Sequence, residues 1–238
     1  MGNKINDMSI CSRKNYSARK AIDDDRLSSF VSHHSVSDFP NELTERSSIY
    51  SADGDDVQVS DFNLLKVLGT GAFGKVFLVQ KNSRSPTGEG KLYAMKVLRK
   101  EYIMAKNQYE HTMTERRVLE ELNSPFIVSL AYAFQTEDKL YLVMEYVAGG
   151  ELFYHLKMQE TFKEDVIRFF ASEIITAIGH LHGQNIVYRD LKPENILIDK
   201  NGHLKLTDFG LSKDGLNMRS EMTFSICGTP EYIAPEII

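Results

Sequence analysis

The sequence predicts an α+β protein of two lobes: a small β-rich lobe of five strands with one main helix, then a mainly helical lobe. Three observations predict this. Between Phe62 and Tyr146, short runs of β-branched and aromatic residues recur, separated by glycine, proline and polar turns. Beyond Gly149-Gly150 the apolar spacing changes to a period near 3.6. The 238 residues are enough for a large core, and no internal repeat is visible.

Residues 1–60 stand apart. They hold twelve serines, few large apolar residues and no sustained period, so they are expected to form a disordered tail. Folded sequence is expected from Asp61, with residues 61–146 as the small lobe and 147–238 as the helical one. Phe62–Leu68 and Val76–Gln80 read as strands flanking a glycine loop, and Leu92–Leu98 as a third strand. The segment Lys81–Gly90, with Pro86 and two glycines, reads as a surface connection. Asn107–Leu122 has helical character and stops at Asn123-Ser124-Pro125, because proline disfavours helix in the residue before it. Val128–Phe134 and Leu140–Tyr146 complete the five strands.

In the second lobe, Thr161-Phe162-Lys163-Glu164 fits a capping box. Val166, Phe170, Ile174, Ile178 and Leu181 then share one helical face, and Gly183 is expected to end the helix. Ile196–Asp199 and His203–Leu206 are predicted to pair through a turn at Asn201-Gly202.

A net charge of -5 argues against a nucleic-acid binder. The two cysteines, Cys11 and Cys227, lie in segments of different character and suggest neither a disulfide framework nor a metal cluster. No apolar run approaches the length of a membrane span and no secretory signal opens the chain, so the expected address is the cytosol, with the nucleus as a second possibility.

The stretch Tyr188 to Asn195, Tyr-Arg-Asp-Leu-Lys-Pro-Glu-Asn, is followed by Asp208-Phe209-Gly210. This order places an acid, a lysine, an amide and a second acid at the spacing needed to handle a metal-bound triphosphate. Asp190 can accept the proton of an attacking hydroxyl, and Lys192 can sit beside the moving phosphoryl group. Asn195 and Asp208 offer hard oxygen ligands that suit Mg²⁺. Upstream, Gly69-Thr70-Gly71-Ala72-Phe73-Gly74-Lys75-Val76 is a G-x-G-x-x-G-x-V loop. A dinucleotide-binding loop needs a helix directly after its glycines, whereas Val76-Phe77-Leu78-Val79 reads as a strand. The loop is therefore expected to lie over phosphates as a hairpin. Lys96 sits inside an otherwise apolar strand and needs a partner, for which Glu110, Glu115, Glu120 and Glu121 all compete.

On these motifs, residues 62–238 resemble the catalytic domain of eukaryotic protein kinases, specifically the basophilic (AGC) Ser/Thr group. Tyr188 before Arg189-Asp190, the run Gly149-Gly150-Glu151-Leu152-Phe153, and Cys227-Gly228-Thr229 before Glu231-Tyr232 carry that subgroup. Leu65–Gly71 and Lys91–Lys96 look most like the N-terminal kinase domain of mitogen- and stress-activated kinases.

The resemblance implies ATP and Mg²⁺ as cofactors and selects Glu115 as the partner of Lys96. It implies that Leu68 through Val76, Lys96, the backbones of Glu145 and Val147, and Glu151 bind the nucleotide, with Met144 beside the adenine. Glu151 and Glu194 would meet substrate arginines, so protein substrates with basic residues near the phosphoacceptor are expected. Leu119, Leu130, Tyr188 and Phe209 would stack as a spine. The segment from Asp208 to Glu236 would be phosphorylated at Ser225 by an upstream activating kinase, with Thr223 as the second candidate and Arg189 as the phosphate's partner. Ile226 departs from the phenylalanine usual there.

Met1-Gly2-Asn3-Lys4, with basic residues through Lys20, is a weak lipidation signal, and membrane association is not expected. The chain stops two residues after Ala234-Pro235-Glu236, where the resembled kinases continue. It is therefore read as the first part of an active kinase, the alternative being a non-catalytic decoy; by itself it is expected to bind ATP weakly and turn over little.

Overall fold

A computed structural model describes residues 50–52, 57–71, 74–82, 90–216 and 227–237. Its small lobe is an antiparallel sheet of β1 (Tyr50–Ser51), β2 (Phe62–Thr70), β3 (Gly74–Lys81), β4 (Leu92–Arg99), β5 (Leu130–Gln135) and β6 (Lys139–Glu145). The spatial order is β1-β5-β6-β4-β3-β2.

The sheet thus has six strands rather than the expected five, and order begins upstream of Asp61. Left alone, β5 would present an unpaired edge; Tyr50 and Ser51 pair with Ala133 and Tyr132 and close it. Tyr50 also packs on the main apolar cluster, and Val57 is buried beside Phe62. A two-residue strand in a polar segment has no alternating pattern to read, which is why the sequence hid it. The expectation of disorder for residues 1–49 lies outside the described residues.

Two helices cross between β4 and β5: α1 (Lys100–Ala105), which was not expected, and α2 (Tyr109–Glu121). Ile103 explains the first, because it is fully buried with Leu98 and Leu140 in a small cluster of its own. α2 buries Thr114, Glu115, Val118 and Leu119 and ends where Leu122 turns extended ahead of Pro125.

The second lobe contains α3 (Leu152–Gln159), α4 (Glu164–Gly183) and a hairpin of β7 (Ile196–Ile198) with β8 (Leu204–Leu206). α4 buries Phe170, Ala177 and Leu181, with Val166, Ile174 and Ile178 packed on the same cluster, as the period predicts. Its expected start is corrected, while the helix does stop at Gly183. Lys163 is the N-cap with no side-chain cap, and Glu164 pairs with Arg168 one turn on instead of closing a box. Gly183 is the last helical residue, and the left-handed exit falls on Asn185 (φ 60°). At the β7–β8 turn, Asp199 Oδ1 accepts from the backbone N–H of Asn201 (2.7 Å) and His203 (2.9 Å), while Gly202 takes φ 89°.

The core has two main parts. Phe62, Tyr93, Tyr132, Phe134 and Tyr141 form an aromatic layer with Val79, Met95 and Val143 on one part of the sheet. The larger cluster runs from Val118, Leu119 and Leu130 through Leu142 and Met144 to Leu181, Tyr188, Leu206 and Phe209. It is continuous from sheet to helices, so it fixes the two chemistry-bearing strips against each other. Among the described residues no helix is long and apolar enough to cross a membrane.

Candidate active site

β4 carries Lys96 between Val76 on β3 and Leu142 on β6. Its ammonium donates to Glu115 Oε1 (2.6 Å) and Oε2 (2.8 Å) and to Asp208 Oδ1 (3.2 Å). The four glutamates that compete in sequence are thereby separated. Glu115 is 3% exposed and faces the sheet; Glu120 is engaged by Arg116, and Glu110 and Glu121 point to solvent. Burial alone pulls the Lys96 ammonium down, but Glu115 and Asp208 outweigh it and hold its pKa above the ordinary lysine value. The same ammonium holds the Asp208 carboxyl below the usual carboxylate range.

Asp190 is almost fully buried, and every contact it makes is from a donor. Oδ2 accepts from Asn195 Nδ2 (2.8 Å) and Lys192 Nζ (2.8 Å), and Oδ1 accepts from the Thr229 hydroxyl (2.7 Å). Lys192 Nζ also donates to Thr229 Oγ1 (2.8 Å), and Asn195 Nδ2 to the Asp190 carbonyl (3.0 Å). Three side chains therefore lock one carboxylate in place. Thr229 was read only as a subgroup marker; its distance of 39 residues from Asp190 hid its place in the network.

The backbone is bent to deliver these groups. Arg189 (φ 66°) and Asp208 (φ 60°) are left-handed, a conformation costing about 1–3 kcal/mol for residues with a Cβ. Tyr188 secures the first bend: its ring lies 5.2 Å from that of Phe209, and its hydroxyl donates to the Thr207 carbonyl just before Asp208. Burial, with Asp208 and Asp190 nearby, pushes that phenol well above its usual pKa, so it stays a donor. Leu119, Leu130, Tyr188 and Phe209 all belong to the large cluster, and Phe209 is fully buried. Gly228 (φ 122°) holds Thr229 close; an added Cβ would lie 2.9 Å from the Arg189 carbonyl oxygen.

The glycine loop joins β2 to β3 as a hairpin, with Thr70 opposite Lys75 and the Gly71 N–H donating to the Gly74 carbonyl (2.9 Å). Its glycines differ in purpose. A Cβ on Gly74 would fall 1.8 Å from the Val97 carbonyl oxygen, whereas one on Gly69 would meet open space and one on Gly71 only the Gly74 carbonyl oxygen at 3.9 Å. Leu68 and Val76 flank it on the two strands; Ala72 and Phe73 lie outside the described residues. Glu145 ends β6, Val147 is buried where the chain passes between lobes, and exposed Glu151 is the N-cap of α3 and bridges Leu197. Glu194 lies in the turn Pro193–Asn195, and its Oε2 is buried with no partner among the described residues. Ser225, Thr223 and Ile226 lie outside the described residues. Arg189, expected to pair with a phosphate at Ser225, donates from Nε to the Leu211 carbonyl (2.7 Å), and its buried Nη1 has no partner among the described residues.

Among the described residues no group of three or more His, Cys, Asp or Glu is placed to hold a metal ion. The Asn195 amide and Asp208 carboxylate are a smaller, all-oxygen donor set, which fits a hard cation that completes its shell with phosphate oxygens and water. The arrangement as a whole can hold a polyphosphate near Lys96 and Asp208 and present a buried carboxylate to a hydroxyl.

Residues 62–238 match the protein kinase domain family. A RAC family serine/threonine-protein kinase homolog of Dictyostelium discoideum is 52% identical over 182 residues, 76% of this chain and 40% of the relative. The RAC-beta serine/threonine-protein kinase A of Xenopus laevis is 52% identical over 76% of this chain and 36% of its own length. The human ribosomal protein S6 kinase alpha-4 is 58% identical over 185 residues, 76% of this chain and 24% of that protein. The chain thus spans two fifths or less of each of these relatives. With the acid, lysine and amide set built around Asp190 and the match running over residues 62–238, the chain belongs to the protein kinase domain family.

Proposed function

We propose that the protein transfers the γ-phosphate of ATP to serine or threonine hydroxyls in basic peptide contexts, with Asp190 as the base. The observation that supports this most is the network in which Asn195, Lys192 and Thr229 fix the buried Asp190 carboxylate. Held this way, the carboxylate can take the proton as the substrate oxygen attacks the γ-phosphorus and ADP leaves. Lys192 sits beside the same carboxylate and can offset charge on the moving phosphoryl group. Lys96, fixed by Glu115, orients the phosphates under the glycine loop, while the backbones of Glu145 and Val147 pair with the adenine edge and Glu151 meets the ribose. Asn195 and Asp208 would hold Mg²⁺, which when bound neutralises charge on the phosphates.

Substrate choice follows from Glu194 and Glu151. The unpartnered, buried Glu194 Oε2 is a desolvated acceptor, and a guanidinium matches it better than any neutral group. An upstream kinase would phosphorylate Ser225, and Arg189, whose Nη1 has no partner among the described residues, would take the phosphate. In the full-length gene product Ser225→Ala then lowers activity; unchanged kinetics with no phosphate on Ser225 would remove this step.

The test of the reading is transfer from Mg·ATP by the full-length product to matched peptides with arginine or alanine upstream of a serine. Phosphoserine is expected, with kcat/KM about tenfold higher or more for the arginine peptide, the ratio of one desolvated charge pair. No transfer to either peptide would overturn the activity, and equal transfer would overturn the specificity.

A further inference from the structure

One ion pair reaches from the β7–β8 hairpin to the end of β6 and has no place in the chemistry above. Lys205 Nζ donates to Glu145 Oε1 at 2.8 Å, and the two side chains are 15% and 28% exposed. The same oxygen accepts the Ser129 backbone N–H (2.9 Å), and the Glu145 N–H donates back to the Ser129 carbonyl (3.0 Å). Glu145 is therefore held at three points. The residue after Lys205 is tied to the same loop: the Leu206 N–H donates to the Phe126 carbonyl (2.8 Å), and its carbonyl accepts from Val128 (2.9 Å). Thus β8, which leads into Asp208 three residues after Lys205, and the strand end proposed to face adenine are joined through one carboxylate oxygen.

We propose that Lys205 is a positioning residue for nucleotide binding, acting through Glu145 to hold the backbone of Glu145 and Val147 in register for the adenine edge. This rests on the ATP reading of the preceding subsection. Without the ammonium the Glu145 carboxylate keeps only the Ser129 N–H, and the side-chain tie between β8 and the end of β6 is lost. Because the strand end meets the base and not the phosphates, the effect belongs to the adenosine half of the ligand.

The experiment uses the full-length product, with Mg·ATP and adenosine as separate titrants. Lys205→Met is expected to weaken both by the same factor, about tenfold or more, as for loss of a hydrogen bond between charged groups. The KM for peptide and kcat at saturating ATP stay unchanged, and Lys205→Arg recovers both affinities to within about twofold. If Lys205→Met does not fold, Lys205→Gln, which likewise removes the charge, carries the same expectation. Unchanged affinity for both ligands would overturn the proposal. So would a loss confined to Mg·ATP, which would place Lys205's influence at Asp208. A wild-type protein that binds adenosine but not Mg·ATP would instead overturn the kinase reading, and one that binds neither would overturn both.

Discussion

Thr229→Val isolates what fixing Asp190 is worth. The substitution is nearly isosteric, and Thr229 is extended (φ −99°, ψ 120°), a conformation that valine adopts without strain. It deletes a hydroxyl that donates to Asp190 Oδ1 at 2.7 Å and accepts from Lys192 Nζ at 2.8 Å. Oδ2 keeps Asn195 and Lys192, so the carboxylate stays in place but can rotate about its remaining contacts. A hydrogen bond to a charged group contributes about 1.5–3 kcal/mol; if that is lost from the transition state, kcat falls about 10- to 150-fold. The KM for ATP should hold, because Thr229 touches only Asp190 and Lys192, which act on the moving phosphoryl group, and none of the residues expected to bind the adenosine or to hold the phosphates before transfer. Steady-state kinetics of the full-length Thr229→Val and Thr229→Ser proteins measure this, with serine retaining most of the activity. A valine variant with wild-type kcat would refute the idea that the Asp190 network is catalytic preorganisation.

Two further outcomes follow from the same geometry. Gly228→Ala places a Cβ 2.9 Å from the Arg189 carbonyl at a φ of 122°, so stability should drop by about 1–3 kcal/mol with kcat falling alongside; thermal unfolding and kinetics that both match wild type would contradict the packing described. His203 Nδ1 lies 2.6 Å from Glu173 Oε1, and this hydrogen bond raises the imidazole pKa above its ordinary value. A raised folded pKa means that the pair's stabilisation is complete below the unfolded-state value, near 6.5, and fades as pH rises through the folded one. Melting temperatures of wild type and His203→Gln should therefore diverge at acid pH and converge at alkaline pH, and a constant gap would remove the ionic contribution.

Much of the site was legible because its chemistry lies in short runs. Asp190, Lys192 and Asn195 fall within six residues, and the strand after Gly74 separated a phosphate hairpin from a dinucleotide loop. What escaped depends on contacts between distant segments. Spacing alone left Lys96 four possible glutamate partners on one helix; the family resemblance picked Glu115, the one that the rotation of α2 turns to the sheet. Thr229 reaches Asp190 because Gly228 lets the chain approach Arg189, which no local pattern encodes. Tyr50–Ser51 becomes a strand only because the β5 edge is there to receive it. The misread start of α4 has a local cause: Thr161 is a common cap residue, yet Lys163 takes the required backbone angles.

The central claim is that Asp190 accepts the hydroxyl proton during phosphoryl transfer, and Asp190→Asn tests it most directly. Asparagine keeps the size of the side chain and an oxygen for Thr229 or Asn195, but it cannot act as the base. Single-turnover transfer to an arginine-containing peptide, with Mg·ATP affinity measured in parallel, should show near-normal nucleotide binding and a rate reduced about 10²- to 10⁴-fold. Transfer at the wild-type rate would contradict the account.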